Sequence, residues 1–247
     1  MSQLILAAEA EISPRHLSFL ETGRAQPSRD MIQLLANVLE VPLGERNALL
    51  LAAGYAPAYS ERPLADPELE QVRRALQFIL QQQEPYPALV VDAQWNILMA
   101  NRATQRIFGS LLELSEPAEW TGNAMRILFH PQGVRRFIVN WEELAGQLIQ
   151  TVHREAAASG SEASARLRDE LLSYPGVPPR WKVPDPLAAL PPLLTLQIKK
   201  GDTSLAFFET ITTFSNPFDI TLQRLKIECF YPADKATEET ARGLAAS

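Results

Sequence analysis

The apolar positions of the chain follow two periods, and the switch between them divides it. Through residues 1–56 the spacing is helical. Leu4, Ala7 and Ala8 recur at helical intervals, Leu17 and Leu20 carry a second face, and Met31, Leu34, Leu35, Val38 and Leu39 form a third stripe. The punctuation agrees. Ser13 before Pro14 predicts an N-cap with proline in the first helical position, and Gly23 predicts the stop. Ser28 caps the next helix and Pro42 ends it; "LGERNALLLAAG" predicts one more, closed at Gly54.

The proline-bearing stretch "YAPAYSERPLADP" predicts a connection. The organisation expected is a helical domain over 1–56, a linker over 57–65 and a second domain over 66–242. In "ELEQVRRALQFILQQQ", Leu69, Val72, Leu76, Ile79 and Leu80 share one helical side. The period then drops to two. "ALVVDAQWNILMAN" predicts two short strands about a turn at Asp92–Gln94. From Arg102 to about Tyr174 the helical pattern returns, clearest in "GVRRFIVNWEELAGQLIQTVHREAAASG" and "SEASARLRDELLSY". After the crossing "PGVPPRWKVPDPLAALPP", Leu194, Leu196 and Ile198 alternate, and Gly201–Asp202 predicts a tight hairpin. In "LQRLKIECFY", Leu225, Ile227, Cys229 and Tyr231 alternate with charged residues, which predicts a half-buried strand. Strands separated by a block of helices predict an α+β domain with a five-stranded antiparallel sheet and helices. That is the general form of a PAS-like sensor, in which sheet and helices can enclose an apolar cavity.

Composition narrows the picture. With 46% hydrophobic residues over 247 positions, the chain can build a sizeable core. Its one cysteine, Cys229, excludes an internal disulfide framework and fits a reducing cytoplasm. No basic segment leads into an apolar one at the start, and no apolar run approaches the ~20 residues of a membrane span. The net charge of −6 gives no general support for nucleic-acid binding, so a basic patch would have to be local.

A local reader is nevertheless spelled out. A helix-turn-helix needs a small residue where its helices cross, and Ala7 supplies one. The turn falls at Glu9–Ile12, and Leu17 and Leu20 hold the second helix down. Ser13, Arg15, His16, Ser18 and Thr22 then face outward. Arginine suits guanine O6 and N7, while serine and helix-terminal N–H groups suit phosphate. The alternative is a small helical bundle with a chance exposed Arg-His pair. The stretch "SPRHLSFLETGRAQPSRDMIQLLANVLEVPLGERNALLLAAGYAP", with "LETGRAQPS" after the recognition helix, resembles the XRE-type helix-turn-helix regulators. The resemblance implies double-stranded DNA as partner, with Gln3 and residues Ser13 to Ser18 at bases or phosphates and Arg24 near the backbone. By comparison with that family, the domain is expected to lack its first, basic helix. Residues 1–56 carry Arg15, Arg24, Arg29 and Arg46 against Glu9, Glu11, Glu21, Asp30, Glu40 and Glu45, a balance of −2.

Beyond the linker, "GYAPAYSERPL", "EPYPALVVDAQWNILMAN", "NAMRILFHPQGVRRFIVNW" and "REAAASG" resemble the MmyB-like regulators. In that family an XRE domain is joined to a PAS-like ligand-binding domain associated with fatty acids. The resemblance therefore implies a lipophilic effector, a fatty acid, and no other cofactor. Such a site needs an apolar wall and a cation or donors at one end. Candidates for the wall are Val90, Trp95, Ile97, Met99, Met125, Ile127, Leu128, Phe129, Phe137, Phe207, Phe208, Ile211 and Phe214. For any one of them, ordinary core is the alternative. Arg126, inside the apolar helix "NAMRILF", is the first candidate for a carboxylate, ahead of Asn123, His130 and Arg136; a structural salt bridge is its alternative.

Catalytic and metal signatures are not spelled out. His16, His130 and His153 are scattered, and there is no CxxC, Walker loop, GxGxxG or GxSxG. The expectation is a non-enzymatic, ligand-responsive DNA-binding regulator acting as a homodimer. The rival is a lipid-binding module with impaired or lost DNA binding that works through protein contacts.

Overall fold

The computed structural model describes residues 1–112, 119–185, 193–215 and 217–246. The chain forms two compact units. The first joins Met1–Leu69 to Phe214–Arg224, and the second joins Glu70–Thr213 to Leu225–Ser247.

In the first unit, α1 (Gln3–Glu9), α2 (Pro14–Glu21), α3 (Arg29–Val38) and α4 (Leu43–Ala52) follow the sequence punctuation. Ser13 Oγ accepts the His16 N–H at 3.1 Å and Ser28 Oγ accepts that of Met31 at 3.2 Å. Gly23 and Gly54 take φ of +70° and +84° at the helix ends, conformations that lack of a Cβ makes inexpensive. Ala7 is fully buried against Leu6 and Leu17, as a close helix crossing requires. Helix α4 begins after Pro42 and has no side-chain cap of its own. Its first N–H, from Leu43, is instead accepted by Gln223 Oε1 at 2.8 Å.

The second unit contains α5 (Glu70–Gln82), β1 (Ala88–Val91), β2 (Ile97–Ala100), α6 (Arg102–Ile107), α7 (Ala124–Phe129), α8 (Trp141–Ser159), α9 (Glu162–Ser173), β3 (Thr195–Lys200), β4 (Thr203–Thr212), β5 (Lys226–Pro232) and α11 (Lys235–Ala246). The short α10 (Ile220–Arg224) lies between β4 and β5 in sequence and belongs to the first unit. The strands form one five-stranded sheet in the order β2-β1-β5-β4-β3, with every pairing antiparallel. This is the α+β, PAS-like arrangement expected from the pattern. Gly201 opens the β3–β4 hairpin at φ +59°.

Two local expectations change. Helix α8 starts at Trp141 rather than near Gly133, because Ile138 and Val139 pair with edge strand β3: Ile138 bridges Ile198, and the Val139 N–H donates to Gln197 O at 2.8 Å. Asn140 then clamps the same strand through Thr195 O at 2.8 Å and the Gln197 N–H at 3.1 Å. The strand expected to be half-buried, β5, is buried from Ile227 to Phe230 on both faces, because it runs between β1 and β4 in the middle of the sheet. Helix α11 follows the last strand, and its Thr237 is fully buried and accepts the Ala206 N–H of β4 at 2.9 Å.

Candidate functional site

The second unit holds an apolar cavity of about 280 Å³. Every strand contributes to it: Leu89 from β1, Ile97 from β2, Leu196 and Ile198 from β3, Glu209 from β4, and Glu228 and Phe230 from β5. The helical block closes over these residues with Phe108, Met125, Leu128, Leu144 and Leu148. Alternation sends these strand residues to one face, and the helices inserted between β2 and β3 cover that face.

This wall also carries the polar Thr104, Gln105 and Thr121, and the two glutamates are its charged residues. Register places them: Glu209 pairs with Phe230, and Glu228 with Ile211, so the carboxyl groups are diagonal neighbours on β4 and β5. Glu228 is only 4% exposed. Burial, and then the neighbouring Glu209 carboxyl, push its pKa up to about 8, against the pull of Lys226. Burial raises Glu209 as well. Lys226 lies on the same strand, but it is engaged elsewhere. Its ammonium pairs with Glu155 and sits 3.9 Å from the centre of the Trp95 ring.

Most of the residues singled out from the sequence lie around this cavity rather than on it. Ile97, Met125, Ile127 and Leu128 line it. Phe129 and Phe207 are fully buried in the surrounding core; Phe129 packs edge-on against Trp141 and Trp181. Met99 is half-buried opposite Val90, and Ile211 is 48% exposed. Trp95 is buried at the β1–β2 turn, where it donates its indole N–H to Glu155 at 2.8 Å. Asn123 caps α7 through the Arg126 N–H at 3.1 Å and donates to Gln94 O at 2.7 Å. The His130 ring stacks on Trp120 at 4.4 Å. Arg126 is held in a fork by Glu170, at 2.9 and 2.8 Å, and Tyr174 donates its hydroxyl to the same carboxylate at 2.6 Å. Burial alone would raise the Glu170 carboxyl, but these two donors outweigh it and hold the pKa below the usual range.

Glu209 and Glu228 went unnoticed in the sequence because a charged residue alternating with apolar ones ordinarily faces water. The signal was Phe230, an aromatic on the same side of β5 as Lys226 and Glu228. A strand with apolar residues on both sides is a central one.

The first unit presents a second surface. On α2, Leu17 faces inward at 2% exposure, while Ser13 and Arg15 are exposed and His16 and Ser18 half-buried. The Arg15 guanidinium carbon lies 5.3 Å from the centre of the Phe19 ring. Gln3, at the start of α1, donates its side-chain amide to Glu21 at the end of α2. Arg24 is exposed just past Gly23. The arrangement presents Arg15 from an exposed helix face that a major groove admits.

A helix-turn-helix unit and a sheet unit with an internal apolar cavity together define a ligand-responsive transcription regulator. More particularly, residues 72–244 match the family described as the MmyB-like transcription regulator ligand binding domain, and residues 1–46 match the helix-turn-helix family. The chain belongs to the MmyB-like transcription regulators. No curated protein matches it. Among solved structures, an RNA-binding light-oxygen-voltage receptor is similar at 11% identity and a TM-score of 0.30, over 99% of this chain and 55% of that one. This chain thus spans about half the length of that receptor, and the likeness is too loose to bear on the fold or the function.

Proposed function

We propose that the chain is a cytoplasmic regulator that binds double-stranded DNA as a homodimer through α2, under the control of a lipophilic small molecule bound in the cavity of its second unit. The observation that carries this reading is the cavity itself: its lining is mostly apolar, and it occurs in the same chain as a capped helix-turn-helix. Such a lining is typical of small-molecule sites, and the volume lies just below their usual range of about 300–1,000 Å³. The apolar wall accepts the chain of a fatty acid, the effector expected from the family resemblance, as it accepts any alkyl chain. The headgroup it accepts depends on Glu209 and Glu228. Ligand acts by population shift: it controls DNA binding to the extent that it binds one conformation better than another. Two dimer heads must sit about 34 Å apart to read adjacent major grooves, so modest repacking changes affinity.

Mass spectrometry of an organic extract from freshly purified protein tests the reading. A lipophilic molecule in near-stoichiometric amount supports it; an empty extract, with no uptake when alkyl ligands are added back, opposes it. One observation favours a second reading, a lipid-binding module that works through protein contacts without DNA. The balance of charge over residues 1–56 is −2, and phosphate neutralisation supplies much of DNA affinity. Sequence-specific retention of duplex DNA in a gel shift would remove that reading.

A further inference from the structure

The cavity wall carries two carboxyl groups, and among the described residues no cation pairs with either. Glu228 is nine-tenths buried, lines the cavity, and has no hydrogen-bond or ion-pair partner among the described residues. Glu209 reaches the same space from the neighbouring strand. The charged groups around Glu228 are Glu209 on β4, Lys226 on its own strand and Glu155 on α8. Lys226 is already shared between Glu155 and the Trp95 ring. The undescribed residues 113–118, 186–192, 216 and 247 contain no lysine, arginine or histidine, so none of them can supply the missing charge. The cluster therefore holds three carboxyl groups against one ammonium.

A carboxylate set in an apolar wall without a partner is costly, and it responds by holding its proton. A ligand cation reverses that: it favours the ionised form and replaces the lost hydration. A ligand carboxylate does the opposite, adding a further like charge beside Glu209 and Glu228. We propose that the cavity selects a lipophilic amine, its alkyl chain along the apolar wall and its ammonium between Glu209 and Glu228. This rests on the reading of the cavity as an effector site and names the chemical class of the effector.

Three probes of equal chain length separate the possibilities: decylamine, decanol and decanoate, titrated calorimetrically into the full chain at pH 6, 7 and 8. Decylamine is expected to bind at least about tenfold more tightly than decanoate at pH 8. Its affinity should rise from pH 6 to pH 8, because binding ionises Glu228. The same event releases a proton, so the heat of binding should change with the ionisation enthalpy of the buffer. Decanol should show neither effect. Glu228→Gln should lower decylamine affinity about tenfold and leave decanol binding in place; Glu209→Gln is the second variant should the first fold poorly. Tighter binding of decanoate than of decylamine by the wild-type chain, or decylamine affinity that is flat with pH and unchanged in both variants, overturns the amine assignment while decanol binding keeps the lipophilic site standing. Failure of all three probes to bind overturns the effector-site reading and the amine with it.

Discussion

The Lys226 ammonium lies 3.9 Å from the centre of the Trp95 ring and pairs with Glu155, whose second oxygen accepts the Trp95 indole N–H at 2.8 Å. Trp95 holds this place from a left-handed backbone conformation, φ +65°, in the turn between β1 and β2. The turn is braced by Asp92, which accepts the N–H groups of Gln94 and Asn96 at 2.8 and 2.9 Å. The indole and Glu155 thus engage Lys226, the lysine that neighbours Glu228 on its own strand. Trp95→Ala should cost about 3–5 kcal/mol in urea unfolding, the range for a buried aromatic. A loss under 1 kcal/mol would show that the turn and the lysine hold without the ring.

Glu228 makes stability depend on pH in a direction unusual for a carboxylate. Its pKa in the folded chain is about 8 against an ordinary 4.5, so between these values the folded state keeps a proton that the unfolded chain has lost. Its contribution is therefore fully present below pH 4.5, declines as pH rises, and is gone above about 8. The slope is at most about 1.4 kcal/mol per pH unit for one group. Urea midpoints from pH 5 to pH 9 should fall for the wild type and fall less for Glu228→Gln. Parallel curves for the two proteins would mean that Glu228 is ionised or solvated in the folded chain.

Glu170, the partner of Arg126, titrates the other way. The Glu170 pKa is depressed, so its contribution is present above the ordinary carboxylate range and lost as pH falls through the lower folded value. Both side chains are about one-third exposed, at 32% and 35%, which screens the pair. Arg126→Ala should lower stability by about 1 kcal/mol at pH 7 and leave affinity for decanol and decylamine unchanged. A selective loss of decanoate affinity would instead place Arg126 at the ligand.

In the helical unit, Gln223 supplies the acceptor that Pro42 cannot, capping α4 through the Leu43 N–H. The segment around it is held by Ser60, Glu61 and Arg62: the Ile220 N–H donates to Ser60 O at 2.8 Å, Thr221 donates to Arg62 O at 2.6 Å, and Arg224 pairs with Glu61 at 2.6 Å. Gln223→Ala should destabilise this unit by about 1 kcal/mol, read as faster amide exchange at the start of α4. Unchanged exchange there would mean that water replaces the cap.

On the DNA side, Arg15→Ala should weaken binding at one base position by about 1–3 kcal/mol, measured against a panel of operator variants. Equal loss across all sequences would assign Arg15 to phosphate.

What could be read directly from the sequence was local. Ser13 and Ser28 announced helix starts because a short hydroxyl satisfies the free N–H groups of a first turn wherever the helix lies. Gly201–Asp202 announced a hairpin, and alternating residues announced strands, because period and turn chemistry belong to a few adjacent residues. The regulator family was legible for the same reason: its motifs are contiguous. The candidate site was not contiguous, and only the tertiary structure decided it. Arg126 acquired Glu170 from a helix forty-four residues on. Lys226 and Glu228, which resembled the wet side of a strand, became an inner face because β5 was placed at the centre of the sheet. Glu209 met Glu228 through the register of β4 on β5. Hydrophobic period says which residues share a face; the order and register of the strands decide what that face encloses.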